Sequence, residues 1–315
     1  MRGDLILHGD NLPLMEGFPD GAFRMVYADP PFNTGRAQTR STMRMTPDAD
    51  GDRTGFGGRR YRTELLERSS YRDSFDDYLG FLEPRLRQMH RLLDAEGTLY
   101  LHLDQREAHY AKLLLDEVFG RDAFLNELIW AYDYGAKPKR RWPAKHDTIL
   151  VYVRDPARYH FDSAAVEREP YMAPGLVTAE KAARGKLPTD VWWHTIVSPT
   201  GREKTGYPTQ KPVGIVRRML QASTRPGDLV LDPFAGSGTL GAAAAELGRS
   251  YVLIDEGNRI LHCRREEWVD AEALAADISQ VPGVVAHGFF LGFASAAVVA
   301  TREGVQELRR PTSPP

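Results

Sequence analysis

One stretch constrains the architecture more tightly than any other: LVLDPFAGSGTLGAAAAELGRSYVLIDE, residues 229–256. An apolar run, a glycine-rich bend, an alanine-rich helical segment and a second apolar run ending in an acid make a strand–loop–helix–strand unit. Two strands joined through a single helix lie parallel in one sheet, which places the chain in the α/β class. Gly236, Gly238 and Gly241 spell G-x-G-x-x-G, where missing side chains let backbone approach a nucleotide closely. Asp255 ends the next strand, where a carboxylate can hold a ribose diol.

The residues just before the glycines narrow the ligand. Asp232, Pro233 and Phe234 lie between strand and loop. A carboxylate there repels a pyrophosphate but complements the ammonium of a methionine moiety, which favours S-adenosyl-L-methionine over NAD. A phosphate-binding P-loop is excluded, because GSGT lacks the lysine that such a loop needs.

The same rhythm runs through much of the chain. DLILHGD and FRMVYADPPF read as two strands, each ending in a loop that carries an acid, Asp10 and Asp29. From Ser74, Phe75, Tyr78, Leu79, Leu82, Leu86, Met89, Leu92 and Leu93 recur at helical spacing, and Gly97 supplies a stop. TLYLHLD then reads as a strand, REAHYAKLLLDEVFG as a second amphipathic helix and LNELIWAYD as a further strand. Between about Ala131 and Ser198 the regularity fails around one clear strand, DTILVYVR, as in an inserted recognition module. KPVGIVRRMLQAST restores the helix. Asn33 to about Arg72 shows no sustained periodicity and reads as a long loop, a class that is usually functional or disordered.

VYADPPFNTG poses a chemical question, because Pro30 and Pro31 exclude both helix and strand ladder directly after a buried-looking run. DPPF after one strand, FAGSGT after another, and YPTQKP one helix before the second together resemble an amino-group DNA methyltransferase. The order of segments, with the hook first, then an insert, then the cofactor loop, resembles the family's circularly permuted β class. The match runs from about Asp4 to Trp268. It implies a Rossmann-like S-adenosylmethionine-dependent methyltransferase fold with a mostly parallel seven-stranded sheet. It divides the chain into a catalytic half (1–130), a target-recognition insert (131–200), a cofactor-binding half (201–270) and a C-terminal extension (271–315).

The resemblance assigns catalysis to Asp29, Pro30, Pro31 and Phe32. An exocyclic amine is a poor nucleophile, since its lone pair is delocalised into the ring. The Asp29 carboxylate and the Pro30 carbonyl are acceptors for its two hydrogens, the prolines fix them in place, and Phe32 offers a stacking surface. A base in a duplex is out of reach and has to be turned out of the helix. Cofactor contacts fall on Asp10 near the adenine, Asp255 on the ribose, Asp232 at the amino group, Lys211 with Thr209 at the carboxylate end, and Asp29, Pro233, Phe234, Ala235, Gly236, Ser237, Gly238 and Thr239 around the loop. An aspartate heading the hook favours adenine N6 over cytosine N4. Phe32 stands where the family often has tyrosine, and stacking survives that change.

A net charge of −2 over 315 residues does not itself call for a polyanionic partner, but the charge is uneven. Arg53–Arg72 and Lys137–His146 mix basic and aromatic residues, as phosphate-tracking surfaces do. Asn33, Arg59, Arg60, Lys139, Arg140 and Arg141 are the candidate contacts to double-stranded DNA, and the patches leave RNA open. A homodimer and a cognate restriction endonuclease stand as further candidate partners. The single cysteine, Cys263, gives neither a disulfide framework nor a cysteine metal site. The N-terminus lacks a signal peptide, so the expected compartment is the cytoplasm. Val281–Ala300 is uncharged and long enough for a membrane span, but Pro282, His287 and its Gly, Ala and Ser content favour a packed terminal element or an oligomer contact. His8, His90, His102 and His109 read as packing or surface residues, and Trp192 and Trp193 as core. Two other classes compete with the enzyme reading: a non-catalytic nucleic-acid-binding module and an NAD-dependent oxidoreductase.

Overall fold

The computed structural model describes residues 4–35, 38–47, 53–54, 60–71, 73–135, 138–198, 201, 203–205, 207, 209–255, 296–301 and 304–309. Its first elements are β1 (Leu5–His8), α1 (Asn11–Glu16) and β2 (Phe23–Ala28), followed by β3 (Gln38–Pro47), β4 (Arg53–Thr54) and β5 (Arg60–Tyr71). The middle of the chain forms α2 (Tyr78–Leu92), β6 (Leu93–Leu103), α3 (Ala108–Phe119), β7 (Phe124–Ala131), β8 (His146–Val153), α4 (Ala179–Arg184) and β9 (Val191–Trp193). α5 (Val213–Ser223), β10 (Leu229–Asp232), α6 (Thr239–Glu246), β11 (Ser250–Asp255), β12 (Ala296–Thr301) and β13 (Gly304–Arg309) complete it.

Among the described residues, ten strands form the main sheet in the order β13-β12-β1-β11-β10-β2-β6-β8-β7-β9. The run from β1 to β7 supplies the seven strands expected, in the expected mostly parallel arrangement; within it only the pairings of β8, with β6 and with β7, are antiparallel. β9 extends one edge, and the antiparallel hairpin β12–β13 extends the other through a parallel contact between Leu7 and Val298. The sheet is therefore wider than the seven strands anticipated. β8, from inside the segment expected to be an insert, is an interior strand of this sheet.

Alternating side chains divide the core between two faces. Val26, Ala28, Leu99, Leu101, Leu231 and Ile254 pack beneath α1, α2 and α3. Met25, Tyr27, Tyr100, Val230, Tyr251 and Leu253 pack beneath α5 and α6. The result is a three-layer α/β/α sandwich. α2 carries its apolar stripe as the spacing predicts, but it begins at Tyr78, where Asp77 accepts a hydrogen bond from the Gly80 amide.

The stretch read as a long loop after Asn33 is largely a second, three-stranded antiparallel sheet, ordered β3-β5-β4. Hydroxyl and charged residues populate these strands, so no apolar alternation announced them; pairing between β3 and β5 makes the structure. Arg59 lies outside the described residues, as do Cys263 and residues 281–295 of the apolar C-terminal segment; its last residues, 296–300, belong to β12. Among the described residues, no helix is long and apolar enough to cross a membrane.

Candidate active site

β10 and β2 are hydrogen-bonded neighbours, registered with Val230 opposite Met25 and Leu231 opposite Val26. The helix that follows β10, α6, packs on one face of the sheet, and the helix reached after β2, α2, packs on the other. The chain departs in opposite directions from adjacent parallel strands, which opens a crevice at their C-terminal ends. A cleft of about 490 Å³ occupies that position. Asp29, Pro30, Pro31, Phe32, Thr209, Lys211, Asp232, Pro233, Phe234, Ala235, Gly236, Ser237, Thr239 and Asp255 all line it.

Two of the cofactor candidates stand back from the wall. Gly238 is the left-handed N-cap of α6 (φ 75°), closing the loop through its amide to the Ala235 carbonyl at 2.7 Å. Asp10 caps α1 by accepting from the Leu12 amide at 3.0 Å and pairs with Arg85 at 2.9 Å, while its neighbours Gly9 and Asn11 line the cleft. Gly236 has φ 51°, and a Cβ there meets the Tyr207 ring at 3.1 Å, so both conformation and space demand glycine.

The hook is held by charge. Lys211 Nζ donates to Asp29 Oδ2 at 2.5 Å and lies 4.8 Å from the centre of the Phe32 ring. Asp29 Oδ1 is buried and has no hydrogen-bond partner. One carboxylate oxygen is thus engaged and the other is a bare acceptor, an arrangement that a purely structural aspartate avoids. The resemblance puts Lys211 at the cofactor's carboxylate end, whereas its ammonium pairs with the hook through Asp29. Its own carbonyl accepts from Thr239 Oγ1 at 3.1 Å, tying this segment to the start of α6.

Asp232 is fully buried, and that burial drives its carboxyl pKa well above the ordinary value. The Phe234 amide pulls it down, and the nearby Asp29 and Asp255 carboxylates push it up further. On the opposite wall, Phe75 and Phe81 have ring centroids 4.6 Å apart, and Phe81 lies 6.3 Å from Phe234. Arg85 bridges this wall to the loop: its Nε donates to Asn11 Oδ1 at 2.7 Å, and Asn11 Nδ2 donates to the Pro233 carbonyl at 2.7 Å.

The nucleic-acid candidates separate. Asn33, with φ 52°, donates to Glu107 Oε1 at 2.8 Å and accepts from the Phe75 amide at 3.0 Å, so it fastens the loop after the hook. Arg60 is exposed at the start of β5. Lys139, Arg140 and Arg141 are exposed between β7 and β8, beside Trp142, which is 94% exposed. Trp192 is core, as the sequence suggests, whereas Trp193 is 77% exposed.

Sequence reasoning passed over Asn11, Tyr27, Asp73, Phe75, Phe81, Arg85 and Tyr207, all of which line the cleft. Arg85 left a trace: it occupies a buried position of α2 one residue before Leu86, where the stripe calls for an apolar side chain. Tyr207 belongs to the YPTQKP motif itself.

A family model described as DNA methylase matches residues 23–264. The chain belongs to the DNA methylase family. A second, shorter match, to ribose 5-phosphate isomerase A, spans residues 239–304 and begins inside the first. Among curated proteins, the chain is 29% identical over 258 residues to the DNA adenine methyltransferase YhdJ of Escherichia coli (strain K12), covering 79% of this chain and 77% of that one. It is 31% identical over 201 residues to the Type II methyltransferase M.HpaI of Haemophilus parainfluenzae, covering 63% and 62%. Among solved structures, it resembles the M1.HpyAVI–SAM complex (TM-score 0.50, 20% identity, 80% and 92% covered). It also resembles the cytosine-N4-specific PvuII DNA methyltransferase (TM-score 0.52, 16% identity, 80% and 82% covered). At these identities the likeness is one of fold.

The cleft of this DNA methylase fits S-adenosyl-L-methionine on its own chemistry. Four acids, Asp29, Asp73, Asp232 and Asp255, line it with two cations, Lys211, already paired with Asp29, and Arg85, already paired with Asp10. That excess of acid suits a ligand carrying sulfonium and ammonium charge and opposes a pyrophosphate. The Phe75–Phe81–Phe234 wall suits a purine ring.

Proposed function

We propose that this methyltransferase moves a methyl group from S-adenosyl-L-methionine to the exocyclic N6 amine of an adenine turned out of double-stranded DNA. The observation that carries this reading is Asp29 Oδ1, a buried acceptor without a partner, on the wall shared with the glycine loop. Asp232 is in place for the cofactor's ammonium, Asp255 for its ribose diol, and Phe234 with Gly236 for the loop contact.

The bound cofactor supplies an electrophilic methyl group. Asp29 Oδ1 accepts one hydrogen of the target amine, and the Pro30 carbonyl accepts the other. Holding both hydrogens draws the nitrogen lone pair out of ring conjugation and aims it along one line. Lys211 keeps Asp29 in a single orientation, so the acceptor is set before the base arrives. Phe32 provides the ring against which the base stacks, and the two prolines prevent the hook from relaxing. Exposed Lys139, Arg140 and Arg141 supply contacts to the phosphate backbone.

Incubation of unmethylated DNA with the protein and S-adenosyl-L-methionine, followed by nucleoside digestion and mass spectrometry, tests the assignment. N6-methyladenine is the expected product. N4-methylcytosine would correct the substrate and leave the hook chemistry intact, and methylation of structured RNA in place of DNA would correct the partner. Absence of any methylated base would overturn the reading.

A further inference from the structure

Beneath the hook runs a chain of buried polar side chains that the mechanism above does not use. Tyr27, on β2, shares a 2.9 Å hydrogen bond between its hydroxyl and His102 Nδ1. His102, on β6, is wholly buried, and its Nε2 lies 3.2 Å from Asp147 Oδ2 on β8. The other oxygen of Asp147 accepts from the Tyr132 hydroxyl at 2.9 Å. Four side chains from the neighbouring strands β2, β6 and β8 and from the end of β7 are linked across the sheet in one line.

Such a row is costly as a structural filler, since burying an imidazole and a carboxylate is no more stabilising than apolar side chains of equal volume. Its placement suggests a use. The His102 ring lies 6.0 Å from that of Phe32, tilted by 33°, and meets Tyr27 and Trp130 edge-on at 6.1 and 5.6 Å. Tyr27 itself lines the cleft and immediately precedes the Ala28–Asp29 step into the hook.

The hydrogen-bond logic fixes the ring. Burial raises the Asp147 carboxyl, but the hydrogen bond from His102, with Lys211 and Tyr132 adding to it, more than offsets this and holds it below its ordinary value. Asp147 therefore stands as a carboxylate that only accepts, so Nε2 donates to it, and Nδ1 is left to share the hydrogen bond with the Tyr27 hydroxyl. Burial, then the charges of Asp29, Asp232 and Asp147, keep the Tyr27 hydroxyl protonated. The imidazole can neither rotate nor flip without breaking a bond at each end.

We propose that His102, locked by Asp147 and Tyr27, is a positioning residue that fixes the plane and height of Phe32, the platform for the turned-out base. The proposal rests on the reading of Asp29–Phe32 as the base-binding hook. His102 touches no substrate; it acts through Phe32 and through Tyr27 at the root of the hook. The contacts of the Phe32 ring with Lys211 and with His102 give the platform one preferred tilt.

The test compares His102→Phe, which keeps a ring and loses both hydrogen bonds, with His102→Asn, which keeps a polar group where Nδ1 stands. Unmethylated plasmid DNA is the substrate, and single-turnover methylation rate, DNA affinity, S-adenosyl-L-methionine affinity and thermal midpoint are measured for each. His102→Phe is expected to lower the single-turnover rate by about tenfold or more, on the order of two hydrogen bonds' worth. Cofactor and DNA affinities should stay within about twofold, because phosphate contacts dominate the latter. His102→Asn should recover part of the rate.

A general packing defect would instead lower the midpoint and cofactor affinity together. A folded His102→Phe protein with wild-type rate overturns the proposal, as does a rate loss matched by equal loss of cofactor affinity. Should His102→Phe fail to fold, Tyr27→Phe and Asp147→Asn, each removing one interaction at constant volume, decide in the same way. Failure of the wild-type protein to methylate DNA would instead overturn the functional reading, and that outcome is distinct.

Discussion

Replacing Lys211 with methionine probes how the hook is held, and the structure sets the scale of the effect. The Lys211 side chain is 9% exposed and that of Asp29 16%, so water screens the pair weakly. At 2.5 Å, opposite unit charges attract by about 7 kcal/mol at an effective dielectric constant of about 20. Desolvation consumes much of that attraction, and removing one partner of a buried pair typically costs about 3–5 kcal/mol. Because the pair borders an open cleft, the lower end applies, about 3 kcal/mol for Lys211→Met. For a chain of 315 residues that corresponds to a fall of roughly 4–5 °C in thermal midpoint. Asp29→Asn, which strands the ammonium, should cost a similar amount. The double variant should cost far less than the sum, giving a coupling energy of about 2 kcal/mol or more in a double-mutant cycle. Thermal and urea unfolding of the four proteins by circular dichroism would measure it. Two single variants each costing under about 1 kcal/mol, with additive effects, would refute a closed ion pair and with it the claim that the hook is preset.

Other outcomes follow from the same geometry. Asp29→Ala should reduce methyl transfer by about a thousandfold or more, while S-adenosyl-L-methionine affinity by calorimetry changes only a few fold. Gly236→Ala imposes a side chain at φ 51° against the Tyr207 ring, so it should cost about 1–2 kcal/mol in the loop and weaken cofactor binding about tenfold in titrations. Asp232 has a raised folded-state pKa, so its stability contribution is present at low pH and is lost as pH rises through that value; Asp232→Asn should therefore stabilise the cofactor-free protein increasingly toward alkaline pH, as thermal midpoints would show. A cationic ligand favours the Asp232 carboxylate, so binding should tighten with rising pH and release a proton, measurable by calorimetry in buffers of different ionisation enthalpy. Arg140→Ala and Arg141→Ala should each lower the slope of log affinity against log salt by about 0.9 if each contacts a phosphate, whatever the DNA sequence.

The parts of the site legible in the sequence are those whose chemistry is local. DPPF and FAGSGT carry their own backbone logic, in prolines that exclude regular structure and glycines that need positive φ, so both could be placed at strand ends without knowing their neighbours. Asn11 and Arg85 were invisible because they work at a distance, through Pro233 and Asp10. His102 read as a packing residue, and nothing in TLYLHLD points to Asp147 or Tyr27, which reach it only through strand order. The direction of β8 escaped for a similar reason, since a strand's apolar run does not record whether its neighbours are parallel. Trp192 and Trp193 were read alike, but a β-strand turns consecutive side chains to opposite faces, and one of the two faces water. The β3–β5 ribbon had no apolar alternation to reveal it.

The pairing of β10 with β2 also fixes the reach of the reaction. Neighbouring strands stand about 4.8 Å apart, a spacing set by backbone hydrogen bonds and indifferent to side chains. Donor and acceptor loops that spring from such a pair are spaced by the rungs of the ladder, however much polypeptide separates them in the chain. The intervening segments, among them the β3–β5 ribbon and the turns around β9, are consequently at liberty to lengthen, shorten or change character to suit different stretches of duplex, while the gap the methyl group must cross stays the same.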